Sequence, residues 1–531
     1  KHESFIREQA SNLKRNPKEF WRNLNNRRKS NCIPNEMCLD DKSATTDADK
    51  AELFANFFES VYIKNDDDDT LNSFISNRTD TSFHDFSITA EHVKNALLKM
   101  DVNKGSGFDN VSSFFLRECA DQLKSPLEKI FSASLNQKRY PDAFKIGLLT
   151  PIYKSGARKD VRNYRGVNTV PNVAKVFDKV ISEQLKLIIK PMIKSTQHGF
   201  LSSRNIETNL MELTTHIYKA IDEHSQFDLF LSDVEKAFDH VNQSLQIRKL
   251  ARFPLSNQVL QWFNSYLAGR VQFVVINGVR SRKIDVTSGV GQGSVNVLYL
   301  FITFFDDSDP LMDEILALNF ADDKKLGGFI KCVDDADGLQ NGIDDFMNWC
   351  TDNKLRINVG KCKVITFTRK RNPIIHNYMI NGVPIRRVKE TMDLGVMFHE
   401  SGKFHSHWEY VINRAVATSK FVKRQSIYYS MDTIKLIYQL LVRSLLEFAT
   451  PIWSPNYLVY RNKIESVQKQ MVLFLLGDDR RYLTESYELS PYTERCAELG
   501  LSTKIRRRVN AIVLFVHALI TGKYQSPHLR S

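Results

Sequence analysis

The stretch Leu316–Ile330 constrains the fold of this chain most, because it places two adjacent acids between apolar runs. Its sequence is L-A-L-N-F-A-D-D-K-K-L-G-G-F-I. Apolar runs on both sides of Asp322 and Asp323 predict two short strands joined by a tight turn, a β-hairpin with two carboxylates at its tip. The apolar flanks indicate that the tip lies beside a core, where two like charges repel each other unless a cation lies between them. A divalent metal would relieve that repulsion, although an acidic surface turn is the commoner explanation for an arbitrary Asp-Asp pair.

A third acid follows another strand. Residues 227–234, F-D-L-F-L-S-D-V, form a mostly apolar run typical of a buried central strand, with Asp233 at its exit. Because burying a free carboxylate is costly, Asp233 is expected to be paired or metal-bound. The sequence F-F-D-D at 304–307 competes for the acidic role. It closes a predicted helix, 295–305, and has no returning strand, so we expect those acids at a helix end and turn.

Two cations precede these acids in the sequence. Lys154 follows the predicted strand 144–153, and Arg165 lies in N-Y-R-G-V shortly after it, so both should lie on neighbouring strands or their connection. Lys as a point charge and Arg as a bidentate fork can together bind phosphate. Two exposed cations on a basic protein are the alternative.

A glycine loop and a lysine complete the candidate site. The loop S-G-V-G-Q-G-S, residues 288–294, contains Gln292 and Gly293 and opens the helix 295–305, while Lys361 comes after a later helix. One carboxylate from a strand and two from an adjacent hairpin can hold two Mg²⁺ ions about 3.5 to 4 Å apart, an arrangement that activates a hydroxyl and stabilises leaving pyrophosphate. Hard oxygen ligands suit Mg²⁺, and substrate phosphates would complete its coordination.

The 531 residues are enough for several packed units. Lys and Arg total 74 against 61 Asp and Glu, a formal charge of +13 that suits a polyanionic partner. Seven scattered cysteines without paired spacing indicate a reducing compartment and no zinc site. No signal peptide or membrane-spanning run is visible, so we expect an intracellular protein, in nucleus or cytoplasm, without membrane association. A start without Met and a basic end suggest a fragment.

The two ends of the chain are predicted to be helical. Phe5, Phe20 and Trp21 belong to a basic amphipathic opening, and the helix 51–62 should dock on a partner or on the body of the protein through one apolar face, formed by Leu53, Phe54, Phe57 and Phe58. The acids at 66–69 are expected in a solvated loop.

Beyond residue 404 a helical stripe typical of bundle core is predicted, formed by Ile434, Ile437, Tyr438, Leu441, Leu445 and Phe448. The arginines at 480–481 and 506–508 give the tail nucleic-acid character.

In their order, these motifs resemble the reverse transcriptases of non-LTR retrotransposons, most closely the jockey-like and related LINE elements. The resemblance covers nearly the full chain and rests on several ordered motifs: L-L-T-P-I-Y-K-S-G at 148–156, N-Y-R at 163–165, Q-H-G-F at 197–200, D-V-E-K-A-F-D at 233–239, the loop 288–294, F-A-D-D at 320–323, and L-V-R-S-L-L-E-F-A-T-P-I-W-S-P at 441–455.

The resemblance implies an α+β right-hand polymerase with fingers, a palm built on an antiparallel sheet and a helical thumb, copying RNA into DNA. It divides the chain into an N-terminal helical extension (1–85), fingers and palm (86–400), thumb (401–478) and a basic C-terminal segment (479–531). The implied partners are an RNA template, a DNA primer or target and dNTPs, and the implied cofactor is two Mg²⁺ ions, with Mn²⁺ as an alternative.

Carried over residue by residue, the resemblance makes Asp233, Asp322 and Asp323 the metal-binding catalytic acids. Lys154 and Arg165 become triphosphate contacts, Gln292 and Gly293 line the nucleotide and template pocket, and Lys361 becomes a general acid for pyrophosphate. Phe238, five residues after Asp233, would collide with a ribose 2′-hydroxyl and so select deoxynucleotides, which disfavours an RNA polymerase on the same palm.

Several positions depart from the family pattern, among them N-V-L-Y-L-F at 296–301, where the family has L-G-P-L-L-F after the amide loop. Gly166 and Gly291 stand where the family usually has Pro, which predicts more flexible loops. Lys324 stands where Thr is common, and a cation there is expected to weaken metal binding by repulsion. The sequence therefore supports two hypotheses: an active RNA-directed DNA polymerase, or a catalytically decayed remnant that still binds nucleic acid.

Overall fold

The computed structural model describes residues 33–63, 70–78, 83–291, 293–310, 312, 314–426, 429–477, 491–526 and 529. Its α-helices are α1 Asp47–Val61, α2 Leu71–Ser76, α3 Ala90–Leu98, α4 Ser113–Glu118, α5 Ala120–Asn136, α6 Asn172–Ile189, α7 Ile206–Asp222, α8 Ala237–His240, α9 Gln243–Leu250, α10 Asn257–Leu267, α11 Val295–Phe305, α12 Val333–Asp352, α13 His405–Gln425, α14 Met431–Ile437, α15 Ser444–Glu447, α16 Thr450–Trp453, α17 Leu458–Leu475, α18 Tyr492–Glu498 and α19 Lys504–Ile520.

The strands are short, and several are joined by hairpins. They are β1 Met37–Leu39, β2 Lys42–Ala44, β3 Ile146–Tyr153, β4 Tyr164–Thr169, β5 Gln226–Leu231, β6 Arg270–Ile276, β7 Val279–Arg280, β8 Ile284–Val286, β9 Leu316–Phe320, β10 Asp323–Phe329, β11 Lys363–Thr368, β12 Met379–Ile380, β13 Val383–Pro384, β14 Arg386–Arg387, β15 Glu390–Asp393 and β16 Val396–His399. The predicted α+β class is confirmed.

The sheet that carries the predicted acids has the strand order β14-β11-β5-β10-β9. The apolar run of β5 lies at its centre, antiparallel to both β10 and β11, as the loss of in-out alternation predicts. One apolar cluster on this sheet includes Phe230 and Leu326, and a second includes Phe227 and Leu318. Burial on two sides leaves the strand ends as the places where polar side chains reach solvent.

A second sheet, ordered β4-β3-β6-β7 with β8 beside β6, faces helix α1. The apolar side of α1 is buried there: Phe54 and Phe58 belong to one cluster with Leu149 of β3 and Val274 of β6. The ring of Phe54 also meets Tyr164 edge-on at 5.2 Å. Of the two docking alternatives, the body of the protein is therefore the surface that this helix covers.

In the C-terminal helices the buried side chains match the predicted stripe as far as Tyr438, and beyond it they lie one residue later in the sequence. Ile434, Ile437 and Tyr438 are buried, but a π-helical segment follows at Tyr438–Arg443. The wider π turn rotates the later side chains, so Phe448 is 44% exposed and the core positions are instead Val442, Leu446 and Ala449. The prediction was wrong for Leu445 and Phe448, because a constant period of 3.6 residues cannot anticipate that turn, whereas Leu441 is partly buried and packs against the core.

The arginines of α19 are mostly used within the fold. Arg507 donates to Glu447 through Nε (2.6 Å) and Nη2 (2.8 Å), and buried Lys504 donates to the same carboxylate at 2.8 Å. Arg508 is only 3% exposed. The prediction of nucleic-acid character at 506–508 is therefore corrected for Arg507, which ties α19 to α15 through Glu447, and for Arg508, which is buried.

Some predictions fall outside the described residues, namely those for Phe5, Phe20, Trp21, the acids 66–69 and the arginines 480–481. Within the described ranges, no helix combines the length and apolar character needed to cross a membrane. The six cysteines described there are free thiols.

Candidate active site

The hairpin predicted at Leu316–Ile330 is present. Strands β9 and β10 pair antiparallel, with Asp323 opposite Phe320, so that Ala321 and Asp322 form a two-residue turn. Ala321 adopts a left-handed backbone with φ of +60°, which a residue with a β-carbon rarely adopts. The turn thereby presents Asp322 and Asp323 at the end of the sheet.

Asp233 reaches the same sheet end because of the strand register. Leu231 of β5 pairs with Lys325 of β10, and the amide N–H of Ser232 donates to Lys324 O at 3.0 Å. Continued by two residues, this antiparallel register sets Asp233 beside Asp323. Lys361 also lies here, because its Nζ forms an ion pair with Asp233 Oδ2 at 3.2 Å.

The two cations predicted to bind phosphate lie on paired strands. Arg165 of β4 is opposite Ile152 of β3, and Lys154 directly follows β3, where its N–H donates to Asn163 O at 2.8 Å. Both side chains are exposed toward the cavity that the acids line.

The glycine loop packs on the segment that carries Phe238. Val290 N–H donates to Phe238 O at 3.0 Å, and Ser288 Oγ donates to Asp239 O at 2.7 Å. Gly293 has φ of +123°, and a β-carbon there would lie 2.4 Å from Asn168 O, so the position requires glycine. Gln292 lies outside the described residues.

Phe238 itself is held in place by aromatic packing. Its ring stacks on Phe301 of α11 with centroids 3.7 Å apart, and Phe200 meets it edge-on at 6.4 Å. The ring therefore forms a fixed wall of the cavity.

Most of the predicted site residues line one cavity of about 820 Å³. Its lining includes Lys154, Arg165, Asp233, Phe238, Gly293, Asp322, Asp323 and Lys361. These residues come from sequence positions more than 200 apart, so the convergence is a property of the fold.

The carboxylates in the cavity repel one another. Burial and the charge of Asp233 raise the pKa of Asp322, while Lys154 opposes that rise. Burial, then the charges of Asp322 and Asp393, raise the pKa of Asp323 to about 6, even though its side chain still reaches solvent. A nearby cation would lower both pKa values.

The donor set has the oxygen chemistry that Mg²⁺ prefers, three carboxylates on one cavity wall. In their present positions, no three His, Cys, Asp or Glu side chains of the described residues close around a common point for a metal. Lys361 also occupies one oxygen of Asp233. Metal binding by Asp233, Asp322 and Asp323 therefore fits chemically, and at Oδ2 of Asp233 a metal would compete with Lys361.

The raised pKa of Asp323 makes stability depend on pH. Because the folded state holds this proton more tightly than the unfolded chain, the free energy of unfolding should fall as pH rises from about 4 to about 6.

Mg²⁺ binding to the same carboxylates should also stabilise the fold. At ten times its Kd, Mg²⁺ should raise the free energy of unfolding by about 1.4 kcal/mol at pH 8, and by much less at pH 5, where protons compete for the carboxylates. Urea unfolding with and without Mg²⁺ measures both effects, and Asp323→Asn should reduce each. A Mg²⁺ effect equal at both pH values would contradict the carboxylate assignment.

Gly166 is not part of a flexible loop, which corrects the prediction. It lies within β4 opposite Pro151, and a β-carbon there would come within 2.9 Å of Leu149 Cδ2 and 3.4 Å of Phe58 Cζ. Close packing against α1 and β3 thus favours glycine here. At Gly291 a β-carbon would meet only ordinary contacts, so greater flexibility there stays a prediction.

Lys324 does not face the acids, contrary to the expectation of repulsion. Adjacent residues of a strand point to opposite faces, and Lys324 Nζ is buried, donating to Asp309 Oδ1 at 2.7 Å, Ser308 Oγ at 3.1 Å and Asn319 Oδ1 at 3.2 Å. Burial alone would raise the pKa of Asp309, but the ammonium group of Lys324 lowers it. The charge of Lys324 is thus neutralised away from the metal-binding candidates.

Sequence reasoning missed several residues of the cavity wall: Tyr62, Asn168, Asp239, Gln272 and Asn358. Tyr62 donates through its hydroxyl to Gln272 Oε1 at 2.8 Å, a contact between residues 210 positions apart. Burial raises the pKa of Asp239 to about 6. The only sequence signal was for Asp239, which closes the motif D-V-E-K-A-F-D.

Comparison with known proteins points in one direction. Residues 152–402 match the family model described as "Reverse transcriptase (RNA-dependent DNA polymerase)". The RNA-directed DNA polymerase from mobile element jockey of Drosophila funebris is 26% identical over 404 residues, covering 73% of this chain and 44% of the relative. Its counterpart from Drosophila melanogaster is 27% identical over 380 residues, 68% of this chain and 41% of the relative.

The probable RNA-directed DNA polymerase from transposon X-element of Drosophila melanogaster is 24% identical over 401 residues, 72% of this chain and 43% of the relative. The aligned part of this chain spans less than half the length of each of these relatives.

Proposed function

Because residues 152–402 form a reverse transcriptase domain like those of jockey-type non-LTR retrotransposons, we propose that this chain is an RNA-directed DNA polymerase. It would extend a DNA primer along an RNA template with dNTPs. The observation that carries the proposal is the shared cavity, which is lined by the acids Asp233, Asp322 and Asp323 together with the cations Lys154 and Arg165. The formal charge of +13 suits nucleic-acid partners.

The residues divide the reaction between them. Lys154 and Arg165 bind the triphosphate, and Asp233, Asp322 and Asp323 would hold two Mg²⁺ ions. When bound, these ions would favour the 3′-oxygen as nucleophile and neutralise charge on the leaving pyrophosphate. Lys361 lies at the same edge, and once released from Asp233 its ammonium can donate a proton to pyrophosphate.

The two sheets fit the right-hand layout that the family implies. In this layout β3, β4 and β6 belong to the fingers, with α1 of the N-terminal extension packed against them, and the sheet β14-β11-β5-β10-β9 forms the palm within residues 86–400. Helices α13 to α17 form the thumb within 401–478. The segments 1–85 and 479–531 flank this core as extensions.

Phe238 is expected to select the sugar of the incoming nucleotide. Since its ring is fixed by Phe301, a ribose 2′-hydroxyl beside it has no room. Phe238→Ala should therefore raise the ratio of kcat/KM for ribonucleotides over deoxynucleotides by about 10- to 100-fold. Single-nucleotide incorporation with matched ribo- and deoxynucleotides measures this ratio. A ratio unchanged from the wild type would contradict the assignment.

The test of the function is primer extension by the purified chain. With poly(rA) as template, oligo(dT) as primer and dTTP, extension is expected in Mg²⁺ or Mn²⁺ and none in EDTA. Wild-type protein that folds but does not extend the primer would overturn the proposal. Salt-sensitive RNA binding without extension would then identify the chain as a nucleic-acid-binding remnant.

A further inference from the structure

Residues 196–199 run alongside the outer strand of the acidic hairpin. Asn319 of β9 donates its N–H to Thr196 O at 2.9 Å, and His198 N–H donates to Asn319 O at 2.8 Å. This gives a parallel bridge between Gln197 and Asn319. Arg204 Nη1 also donates to Gln197 O at 2.8 Å, which ties the segment down from its other side.

The side chain of Gln197 contacts the turn itself. Its Oε1 accepts from Ala321 N at 3.0 Å and from Gly199 N at 2.8 Å, and its Nε2 lies 3.5 Å from Ala321 O. The side chain is 1% exposed, so these bonds form out of water. One buried amide thus holds both backbone groups of the residue before Asp322.

Ala321 needs such support because of its backbone. A left-handed conformation costs a residue with a β-carbon roughly 1–2 kcal/mol, and Ala321 has φ of +60°. The neighbouring chain also approaches very closely, since a β-carbon on Gly199 would lie 2.6 Å from Ala321 N. Without its external hydrogen bonds, the turn would relax toward an unstrained geometry and move Asp322.

We propose that Gln197 is a positioning residue that fixes the Ala321 turn and thereby sets the distance of Asp322 and Asp323 from Asp233. The proposal rests on the polymerase function proposed above. Gln197 is not among the residues that line the cavity, and it acts through the backbone of Ala321. Supporting groups of this kind typically contribute 10- to 100-fold in metal affinity or activity.

The chain offers a matched control in Gln226, which is also fully buried. Gln226 Nε2 donates to Ile374 O at 2.8 Å, and its Oε1 accepts from Ile374 N at 2.9 Å, so it too clamps the backbone of one residue. It begins β5, whereas Asp233 follows the other end of that strand. Gln226→Leu therefore removes a comparable backbone clamp away from the acids, together with a bond from Gln226 Nε2 to Asp228 Oδ1 at 3.0 Å.

The experiment compares the wild-type 531-residue chain with Gln197→Leu, Gln197→Glu and Gln226→Leu. Primer extension on poly(rA) with oligo(dT) gives kcat and KM for dTTP, and electron paramagnetic resonance of free Mn²⁺ gives metal affinity without turnover. Thermal unfolding reports stability. Gln197→Leu should lower kcat about 10- to 100-fold and weaken Mn²⁺ binding about tenfold, with KM for dTTP unchanged.

Gln197→Glu keeps an accepting oxygen for both N–H groups and should retain more kcat than Gln197→Leu. Gln226→Leu should lower stability to a similar degree while keeping kcat and Mn²⁺ affinity. Equal kcat losses in Gln197→Leu and Gln226→Leu would overturn the positioning role.

The two proposals fail separately. A wild type that binds Mn²⁺ but extends no primer overturns the polymerase function, while weakened Mn²⁺ binding in Gln197→Leu still supports the positioning role. Wild-type extension that Gln197→Leu leaves intact overturns the positioning role alone. Absence of both extension and Mn²⁺ binding in the wild type overturns both.

Discussion

Asp322→Asn is expected to lower the rate of RNA-templated primer extension at least about 10³-fold. Charge stabilisation by a bound metal contributes several kcal/mol to catalysis, and each 1.36 kcal/mol corresponds to a factor of ten. The amide keeps the size of the side chain but loses the negative charge that would hold the metal. Single-turnover extension with saturating dTTP measures the loss.

The same variant should fold normally. At pH 8 the charges of Asp233 and Asp323 lie near that of Asp322, so removing one of them relieves repulsion in the metal-free protein. RNA binding should persist, because the change makes the cavity less negative. Extension that persists at the wild-type rate in Asp322→Asn would contradict the assignment, and retained RNA binding distinguishes a lost metal ligand from misfolding.

A second Asp-Asp pair provides the control. Asp344 and Asp345 are also adjacent, but they are exposed on helix α12. Asp345→Asn makes the same chemical change without touching the cavity and should leave extension unchanged. Equal losses in the two variants would remove the argument that the hairpin is a metal site.

The contrast between these pairs shows how much the sequence could predict. The hairpin at 316–330 was predictable because apolar runs and turn residues are local signals, and the central position of β5 followed from its loss of alternation. Asp233, Asp322 and Asp323 do converge on one cavity, as expected.

The predictions that were wrong concern side chains whose surroundings are set by residues distant in the sequence. Gly166 is explained by Leu149 and Phe58, residues of two other elements that pack against it. The stripe after Tyr438 shifts because of one π turn, and Arg507 is paired by Glu447. No local pattern in the sequence encodes these contacts. The direction of Lys324 was within reach, because strand alternation already sets it opposite Asp323.

The Lys324–Asp309 pair should be a large single contribution to stability. Both side chains are nearly inaccessible to solvent, 2% and 9% exposed. Removing one partner of a buried pair leaves an uncompensated charge, so Asp309→Asn should lower the free energy of unfolding by about 3–5 kcal/mol. Urea unfolding at pH 7 measures this difference. The exposed ion pair between Lys99 and Glu183 serves as the control. Glu183→Ala should lower the free energy of unfolding by less than about 1 kcal/mol.

A double substitution separates charge from packing at this pair. Lys324→Met combined with Asp309→Asn removes both charges. The amide oxygen can still accept from Asn319, which now donates to Asp309 Oδ1, and the amide nitrogen can donate to Thr196 Oγ1, which now donates to Asp309 Oδ2. Replacing a buried pair by neutral groups is often close to neutral in stability, so the double variant should recover most of the loss.

The loss in free energy of unfolding that Asp309→Asn causes on its own should also become smaller as pH rises. Burial lowers the pKa of Lys324 and Asp309 raises it, so without Asp309 the folded state favours the neutral amine. A native state that binds fewer protons than the unfolded chain gains stability with pH. A deficit that is independent of pH and persists in the double variant would mean that packing, and not the buried charge, holds this side of the hairpin in place.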